Sequence, residues 1–256
     1  MAKGIQILTM KEKINSLFQF LSANRTHPLN GHEGVRRENI LIFKTPSEKA
    51  FSLLHHIYFT QSQPKLDKAK GFFEDISKKT EALTSFRLFC NFLDCEQSYK
   101  GVFEGLKSRE QGWGDKTSAL FTKTLFQIHR HFPDLIFWKG EDVLNFSNYD
   151  KLYLPVDAVI KKIFSRVADI DTFEKINNHL FQLGYQSDKI EVWDDLWFWG
   201  FITQFSQKDD KTGKMKRDFI EFNEGKYWSL LHSPKDQKTI EEIKKLCREF
   251  IRIIEG

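Results

Sequence analysis

The sequence predicts an all-α fold, and its composition and periodicity support this prediction. Of the 256 residues, 25 are Phe, whereas Pro contributes 6 and Gly 14. Phenyl rings fill a core, while all-β folds need more turn residues than this chain carries. Apolar residues recur at three- and four-residue intervals in long stretches, as on the buried face of amphipathic helices.

Composition and charge narrow the class of protein further. Hydrophobic residues make up 40% of the chain and charged residues 29%, which argues against a membrane-embedded protein and against wholesale disorder. The net charge of +4 permits a polyanionic partner without requiring one. Without a signal peptide or a transmembrane stretch, we expect a cytoplasmic protein, associated with the nucleoid if its source is prokaryotic.

The first third of the chain reads as helices separated by polar breaks. Residues 11–23 carry apolar side chains at helical spacing, and a polar loop containing Pro28 and Gly31 is expected to follow. A second helix begins near Pro46, because proline is well tolerated just inside a helix start. The apolar pattern of residues 66–93 predicts two further helices.

A helical hairpin is predicted at about residues 102–128. The amphipathic YKGVFEGL comes before a Gly112-Trp113-Gly114 turn, and the apolar FTKTLFQIH follows it. Glycines permit a positive φ and close backbone approach, and the N–H groups that open the second helix can bind a phosphate. The alternative is that the glycines only turn two packed helices.

A carboxylate opens a second notable helix, predicted at about residues 157–168. Asp157 follows Pro155-Val156 and precedes an apolar face, so it is well placed as an N-cap. An N-cap alone needs no further role.

Together, the Gly-x-Gly-x-Lys hairpin and the Pro-Val-Asp helix start resemble the helix-hairpin-helix DNA glycosylase superfamily, which includes endonuclease III and the 8-oxoguanine DNA glycosylase/lyases. The resemblance implies that Lys116 and Asp157 are the catalytic groups. The same family has a Gln-rich turn that probes the DNA, similar to the segment containing Gln61 and Gln63 here. The implied DNA-binding set is Gly112, Trp113, Gly114, Thr117, Ser118, Gln61 and Gln63.

The implied chemistry is base excision. A fixed carboxylate stabilises the oxocarbenium character that develops at C1′ of the sugar, which is the role of Asp157. The Lys116 amine attacks C1′ and leaves a Schiff base, so its presence favours a glycosylase that is also an AP lyase. The alternative for Lys116 is a phosphate contact or a solvated lysine.

Two departures from the family pattern stand out. Lys116 and Asp157 are 41 positions apart, longer than the connection typical of the family. With no iron–sulfur cysteines, the chain looks closer to the compact archaeal-type 8-oxoguanine glycosylases than to endonuclease III. Trp113 is larger than the usual turn residue, and we expect it to pack into the hairpin; the alternative is that it lies against the sugar-phosphate of the DNA.

A pocket for a flipped base needs aromatic faces and hydrogen-bonding groups. Trp197 and Phe201 share one helix face, and Gln204 follows them. The alternative is that these rings belong to the core. His55, His56, His129 and His131 lie in adjacent or i, i+2 pairs, a poor spacing for metal ligands on a helix, and the cysteines lack CxxC spacing, so we expect no metal and no cofactor.

The C-terminal part carries less chemistry. Residues 206–217 read as a charged, exposed turn, and a last helix starting near Thr239 should dock through one apolar side.

The expected architecture is one domain over residues 1–256, with two helical lobes and the hairpin and Asp157 flanking a cleft between them. We expect a monomer that acts on double-stranded DNA containing a damaged base, and 8-oxoguanine is the expected base. The alternatives are a glycosylase for alkylated or mismatched bases and a non-catalytic helical DNA-binding module.

Overall fold

A computed structural model of the chain describes residues 9–60, 66–108, 112–138, 150–186, 188–208, 215–231 and 236–255. The chain divides into two compact units. Unit 1 comprises Met1–Gly34, Asp157–Ile176 and Val192–Gly256, and unit 2 comprises Val35–Val156 and Asn177–Glu191. Within the described ranges, no helix has both the length and the apolar character needed to cross a bilayer.

Helices dominate the described part of the chain, which confirms the predicted helical class. The α-helices are α1 (Met10–Ala23), α2 (Thr26–Ile40), α3 (Pro46–Phe59), α4 (Leu66–Ser77), α5 (Phe86–Leu93), α6 (Tyr99–Ser108), α7 (Asp115–His131), α8 (Ala158–Val167), α9 (Phe173–Gln182), α10 (Asp188–Thr203), α11 (Glu224–Leu230) and α12 (Gln237–Glu255). Short 3-10 helices cover Thr80–Leu83 and Pro133–Leu135. The two strands are β1 (Gln204–Lys208) and β2 (Met215–Phe219).

The expected polar loop around Pro28 and Gly31 is wrong, because this segment forms α2. Pro28 is the third residue of the helix, where its missing N–H would have had no partner inside the helix. Gly31 lies against Leu231 and Phe198, each within ordinary van der Waals distance of where a Cβ would stand. Tertiary packing therefore stabilises a segment whose own sequence favours a break.

The predicted turn at residues 206–217 is wrong at both ends, where strands form, although Ser206 and Gln207 are exposed as expected; residues 209–214 lie outside the described residues. β1 and β2 pair antiparallel, with Gln204 opposite Phe219 and Lys208 opposite Met215. The pairing continues from the strands toward α10, because the N–H of Ile220 donates to the carbonyl of Thr203. Backbone pairing thus holds a segment whose charged side chains suggested a loop.

The core of unit 1 forms around α1, α8, α10 and α12. α12 buries Ile240, Ile243, Cys247 and Phe250, which confirms that the last helix docks through one side. Its N-cap is Asp236, whose carboxylate accepts from the N–H of Thr239, so the helix starts before the predicted residue. α8 and α10 approach so closely that a Cβ on Gly200 would lie 2.4 Å from Cγ1 of Val159.

The core of unit 2 is strongly aromatic. Trp138 is buried and its indole N–H donates to the carbonyl of Leu83, 2.8 Å away. Asp150 ties the chain back to the predicted hairpin, because its carboxylate accepts from the backbone N–H groups of Tyr99 and Lys100 at the start of α6. A carboxylate from a distant part of the sequence thereby caps the first helix of the hairpin.

Candidate functional site

In unit 2, α6 and α7 contact each other where the hairpin is predicted, and residues 109–111 of the connection between them lie outside the described residues. Gly112 lies in the turn with φ of +89°, a backbone conformation that side chains other than glycine rarely adopt. A Cβ at Gly112 would also lie 2.0 Å from Oη of Tyr58. Both observations show that the turn requires glycine at position 112.

Gly114 has a different role from Gly112. It is the N-cap of α7, with ordinary extended dihedral angles and open space where a Cβ would stand. Because a glycine N-cap has no side chain, it leaves the N–H groups of the first turn uncapped. The N-terminus of α7 is therefore open to an anion.

Lys116 and Thr117 lie in the first turn of α7, and both side chains are half-buried. Asp115 comes just before them and pairs with Lys107 at the end of α6, at a short distance. This ion pair links the two helices of the hairpin. Both of its side chains are largely solvent-exposed, so the pair contributes little to stability.

Two residues of the predicted DNA-binding set point into unit 2. Trp113 is 3% exposed and packs edge-on against Tyr58 and Phe72, with ring centroids 5.4 and 5.3 Å apart. It also lies edge-on to Phe121 of α7, with ring centroids 6.1 Å apart, which confirms the expectation that Trp113 packs into the hairpin. Ser118 is fully buried. Neither side chain reaches the surface in this conformation, and the DNA contacts predicted at Trp113 and Ser118 stay predictions.

The other predicted DNA contacts stay predictions. Gln61 and Gln63 lie outside the described residues. Gly112 and Gly114 shape the turn through their backbone, and Thr117 remains partly accessible on the first turn of α7.

Asp157 lies in unit 1 as the N-cap of α8, as predicted. Its Oδ1 accepts from the backbone N–H groups of Val159 and Ile160, at 2.8 and 2.9 Å. Its Oδ2 accepts from the indole N–H of Trp197, 3.1 Å away. The half-buried carboxylate is therefore held through both oxygens, and its plane is fixed.

The ring of Trp197 also stacks on Phe201, one turn further along α10. Their centroids lie 5.0 Å apart and the rings are 12° from parallel. Lys226 places Nζ over the Phe201 ring, 5.0 Å from its centroid, and donates to the carbonyl of Gln204. Trp197 and Phe201 are half-buried, so the pair belongs to neither the deep core nor the open surface.

Gln204 is the third residue of the predicted base pocket. It begins β1, it is 5% exposed, and its backbone pairs with Phe219. The place of its side chain in a base pocket stays a prediction.

Sequence reasoning missed a buried polar group on α7. Lys123 is 1% exposed and lies two turns beyond Lys116, and its Nζ is 3.5 Å from Oε1 of Gln127. The guanidinium of Arg36, which is also buried, donates to the same amide oxygen. The i, i+7 spacing of Lys116 and Lys123 in the sequence was the available signal, because it places both lysines on one face of a helix.

Lys116 belongs to unit 2 and Asp157 to unit 1. In the described part of the chain, His, Cys, Asp and Glu side chains form no cluster that could hold a metal ion. Comparison with protein-family models, with curated proteins and with solved structures gave no match.

Proposed function

We propose that this chain is a base-excision DNA N-glycosylase with AP-lyase activity. It removes an oxidised base from duplex DNA, and the expected substrate is 8-oxoguanine. The observation that carries the proposal is the hairpin of unit 2. Its turn requires glycine at position 112, its second helix starts without a capping side chain, and Lys116 lies in the first turn. The fixed carboxylate of Asp157 supplies the second group that this chemistry needs.

Lys116 is the proposed nucleophile. The neutral amine at Nζ attacks C1′ of the damaged nucleotide, and the C1′–N bond breaks so that its electron pair leaves with the base. The amine loses its proton and the sugar ring opens to a Schiff base, from which β-elimination nicks the strand. Of the residues in the first turn of α7, Lys116 alone carries an amine, since Asp115 and Thr117 flank it.

Asp157 is the proposed electrostatic partner. An ionised carboxylate stabilises positive charge at C1′ as the base departs, and it can accept the proton that the attacking amine loses. Separate donors already hold the two oxygens of Asp157, so the carboxylate does not have to reorient as positive charge develops at C1′. The N-cap role and the catalytic role are compatible, because the N-cap hydrogen bonds use Oδ1 and leave Oδ2 to Trp197.

DNA is held by its backbone in this proposal. The N–H groups that open α7 bind one phosphate, and the turn between Gly112 and Gly114 brings the main chain close to the strand. Such contacts carry no sequence information, which suits an enzyme that searches for damage anywhere in duplex DNA. Affinity should fall as salt concentration rises.

Trp197 and Phe201 are the proposed aromatic surface for the extruded base. A flipped base is read by stacking on rings and by hydrogen bonds at its edge. These two rings stack on each other, and the hydrogen bond from the indole N–H keeps the edge of the Trp197 ring beside the Asp157 carboxylate.

The test is borohydride trapping of the purified protein on a duplex with a single 8-oxoguanine. We expect a covalent adduct that is lost in Lys116→Gln while DNA binding is retained. Lys107→Gln is the matched control, because Lys107 is an exposed lysine of the same hairpin, and it should still give the adduct.

An undamaged duplex and an abasic-site duplex complete the experiment. Trapping on the abasic site alone would keep the lyase chemistry and redirect the search to other damaged bases. Base release that leaves an unnicked abasic site would point to a glycosylase without lyase activity. DNA binding with no adduct on any duplex would overturn the proposal in favour of a non-catalytic DNA-binding module.

A further inference from the structure

The C-terminus of α5 has a backbone geometry that brings two cysteines together. Asp94 follows the helix with a left-handed φ of 55°, and its N–H donates to the carbonyl of Asn91. The N–H of Cys95 donates to the carbonyl of Cys90, 3.1 Å away. These two bonds define a Schellman motif, in which the side chains at the Cys90 and Cys95 positions commonly make contact.

The surroundings of the two thiols support this contact. Cys95 lies close enough to Cys90 to raise the pKa of the Cys90 thiol. Cys90 is buried, whereas Cys95 is partly exposed. Gly105 of α6 lies directly against Cys95, since a Cβ there would be 3.1 Å from Cβ and 3.2 Å from Sγ of Cys95. The cysteine pair is thus packed between the end of α5 and the first helix of the hairpin.

We propose that Cys90 and Cys95 form a reversible disulfide when the protein meets a hydroperoxide. The Cys95 thiol is oxidised first, giving a sulfenic acid and one molecule of water or alcohol from the peroxide. The sulfur of Cys90 then attacks the sulfenic sulfur, the S–S bond forms, and a second molecule of water leaves. Two electrons and two thiol hydrogens pass to the peroxide, and a thiol reductant reverses the reaction.

The order of the two steps follows from accessibility. Cys95 is the thiol that a peroxide can reach, because Cys90 is 1% exposed. The proximity of Cys95 and burial both raise the pKa of the Cys90 thiol, so Cys90 does not react first with oxidants from solution. Its proximity compensates in the second step, where it needs to reach only the neighbouring sulfur.

This site is independent of the proposed glycosylase activity. Because the motif already holds the two positions together, disulfide formation should leave the helices intact. The contact between Cys95 and Gly105 places the cysteine pair against α6, the first helix of the hairpin.

The experiment treats the full-length protein with hydrogen peroxide and measures its intact mass. We expect a loss of two hydrogen masses, a crosslinked peptide pair containing Cys90 and Cys95, and recovery of the original mass with dithiothreitol. Cys247 is the internal control, because burial raises the pKa of its thiol to about 12 and it should remain reduced. Far-UV circular dichroism of the oxidised protein should match that of the reduced protein.

Cys95→Ser is the matched variant, since serine is nearly isosteric and position 95 is partly exposed. It should show no loss of hydrogen mass and no crosslink. A gain of two or three oxygen atoms at Cys95, with Cys90 still open to alkylation after unfolding, would overturn the proposal. So would a crosslink that involves Cys247, or native protein that peroxide leaves unchanged.

Discussion

The indole N–H of Trp197 donates a hydrogen bond to Oδ2 of Asp157, 3.1 Å away, and so joins α10 to the first residue before α8. Oδ1 of the same carboxylate is already occupied by two backbone N–H groups of α8. The indole therefore orients the one oxygen that the N-cap leaves unused. A hydrogen bond to an ionised acceptor is stronger than one between neutral groups, so Trp197 is a positioning residue for Asp157.

Replacing Trp197 with Phe tests this positioning role. The ring that stacks on Phe201 is largely kept, but the donor to Asp157 is lost. Loss of one charge-assisted hydrogen bond should lower the single-turnover rate of 8-oxoguanine release at least about tenfold, with DNA affinity changed about twofold or less. The comparison needs base-release kinetics and an equilibrium binding titration on the same duplex.

Trp228→Phe is the control for that variant. Trp228 is also a partly exposed tryptophan of unit 1, and its N–H donates to the carboxylate of Glu224. Removing this exposed bond should leave base release unchanged. An unaltered rate in Trp197→Phe would show that the orientation of Asp157 does not depend on the indole.

Substitutions of Asp157 separate its N-cap role from its charge. Asparagine keeps an oxygen that can accept from the N–H groups of Val159 and Ile160. The free energy of unfolding of Asp157→Asn should therefore lie within about 0.5 kcal/mol of the native value. Asp157→Ala loses the cap and should cost about 1 kcal/mol. Both variants should lose base release if the proposed function holds, because neither carries the negative charge that the proposed mechanism requires at C1′.

Urea unfolding and trapping assays on the same two preparations decide between these roles. Retained base release in Asp157→Asn would show that the carboxylate only caps α8. Equal destabilisation by both substitutions would mean that Asn does not replace the cap, and the activity comparison would then rest on variants of matched stability.

The two glycines of the hairpin should respond differently to alanine. Gly112→Ala forces a side chain into a positive-φ position and against Oη of Tyr58, so it should destabilise the protein by about 2 kcal/mol or more. Gly114→Ala meets no atom within contact distance and has a φ of −91°, so it should change stability by less than about 1 kcal/mol. Midpoints of urea unfolding measure both effects.

A double variant shows which cause dominates at Gly112. Tyr58→Phe removes the hydroxyl that a Cβ at Gly112 would overlap, while the next ring atom of Tyr58 would lie 3.1 Å from that Cβ. If the contact dominates, Gly112→Ala should cost less in the Tyr58→Phe background than in the native one. An unchanged cost would assign the destabilisation to the backbone conformation.

The local features of the site followed from the sequence, and the long-range ones did not. The glycine turn and the N-cap of α8 depend on neighbouring residues, so the pattern around Gly112 and Asp157 was enough to predict them. The bond from Trp197 to Asp157 joins positions 40 apart, and periodicity carries no information on such pairs. The burial of Trp113 was expected from its size. The burial of Lys123 was not expected, because a charged side chain is usually exposed.

The helix α2 shows the same limit in the fold. Pro28 and Gly31 are local signals for a break, but proline in a first turn removes no helical hydrogen bond, and Gly31 is packed against Leu231 and Phe198. Those two contacts come from other parts of unit 1, and they outweigh the local preference.

His129 in α7 should make the protein sensitive to mild acid. Its ring is 4% exposed, neither ring nitrogen has a hydrogen-bond partner among the described residues, and burial lowers its pKa from 6.5 to about 4. The unfolded chain therefore binds a proton at a higher pH than the folded protein does. As pH falls from 6.5 toward 4, this one group should remove up to about 3 kcal/mol of stability, and above 6.5 it should have no effect on the pH dependence.

The variant His129→Leu isolates this contribution. Leucine has a similar volume and no titratable group, so the free energy of unfolding of the variant should fall less between about pH 6.5 and about pH 4 than that of the native protein. Urea unfolding across this range measures the difference, and the carboxylates and the remaining histidines cancel because they are common to both proteins. Parallel curves for the two proteins would mean that His129 takes up its proton as readily in the folded protein as in the unfolded chain. Its ring would then have an acceptor or access to water in solution.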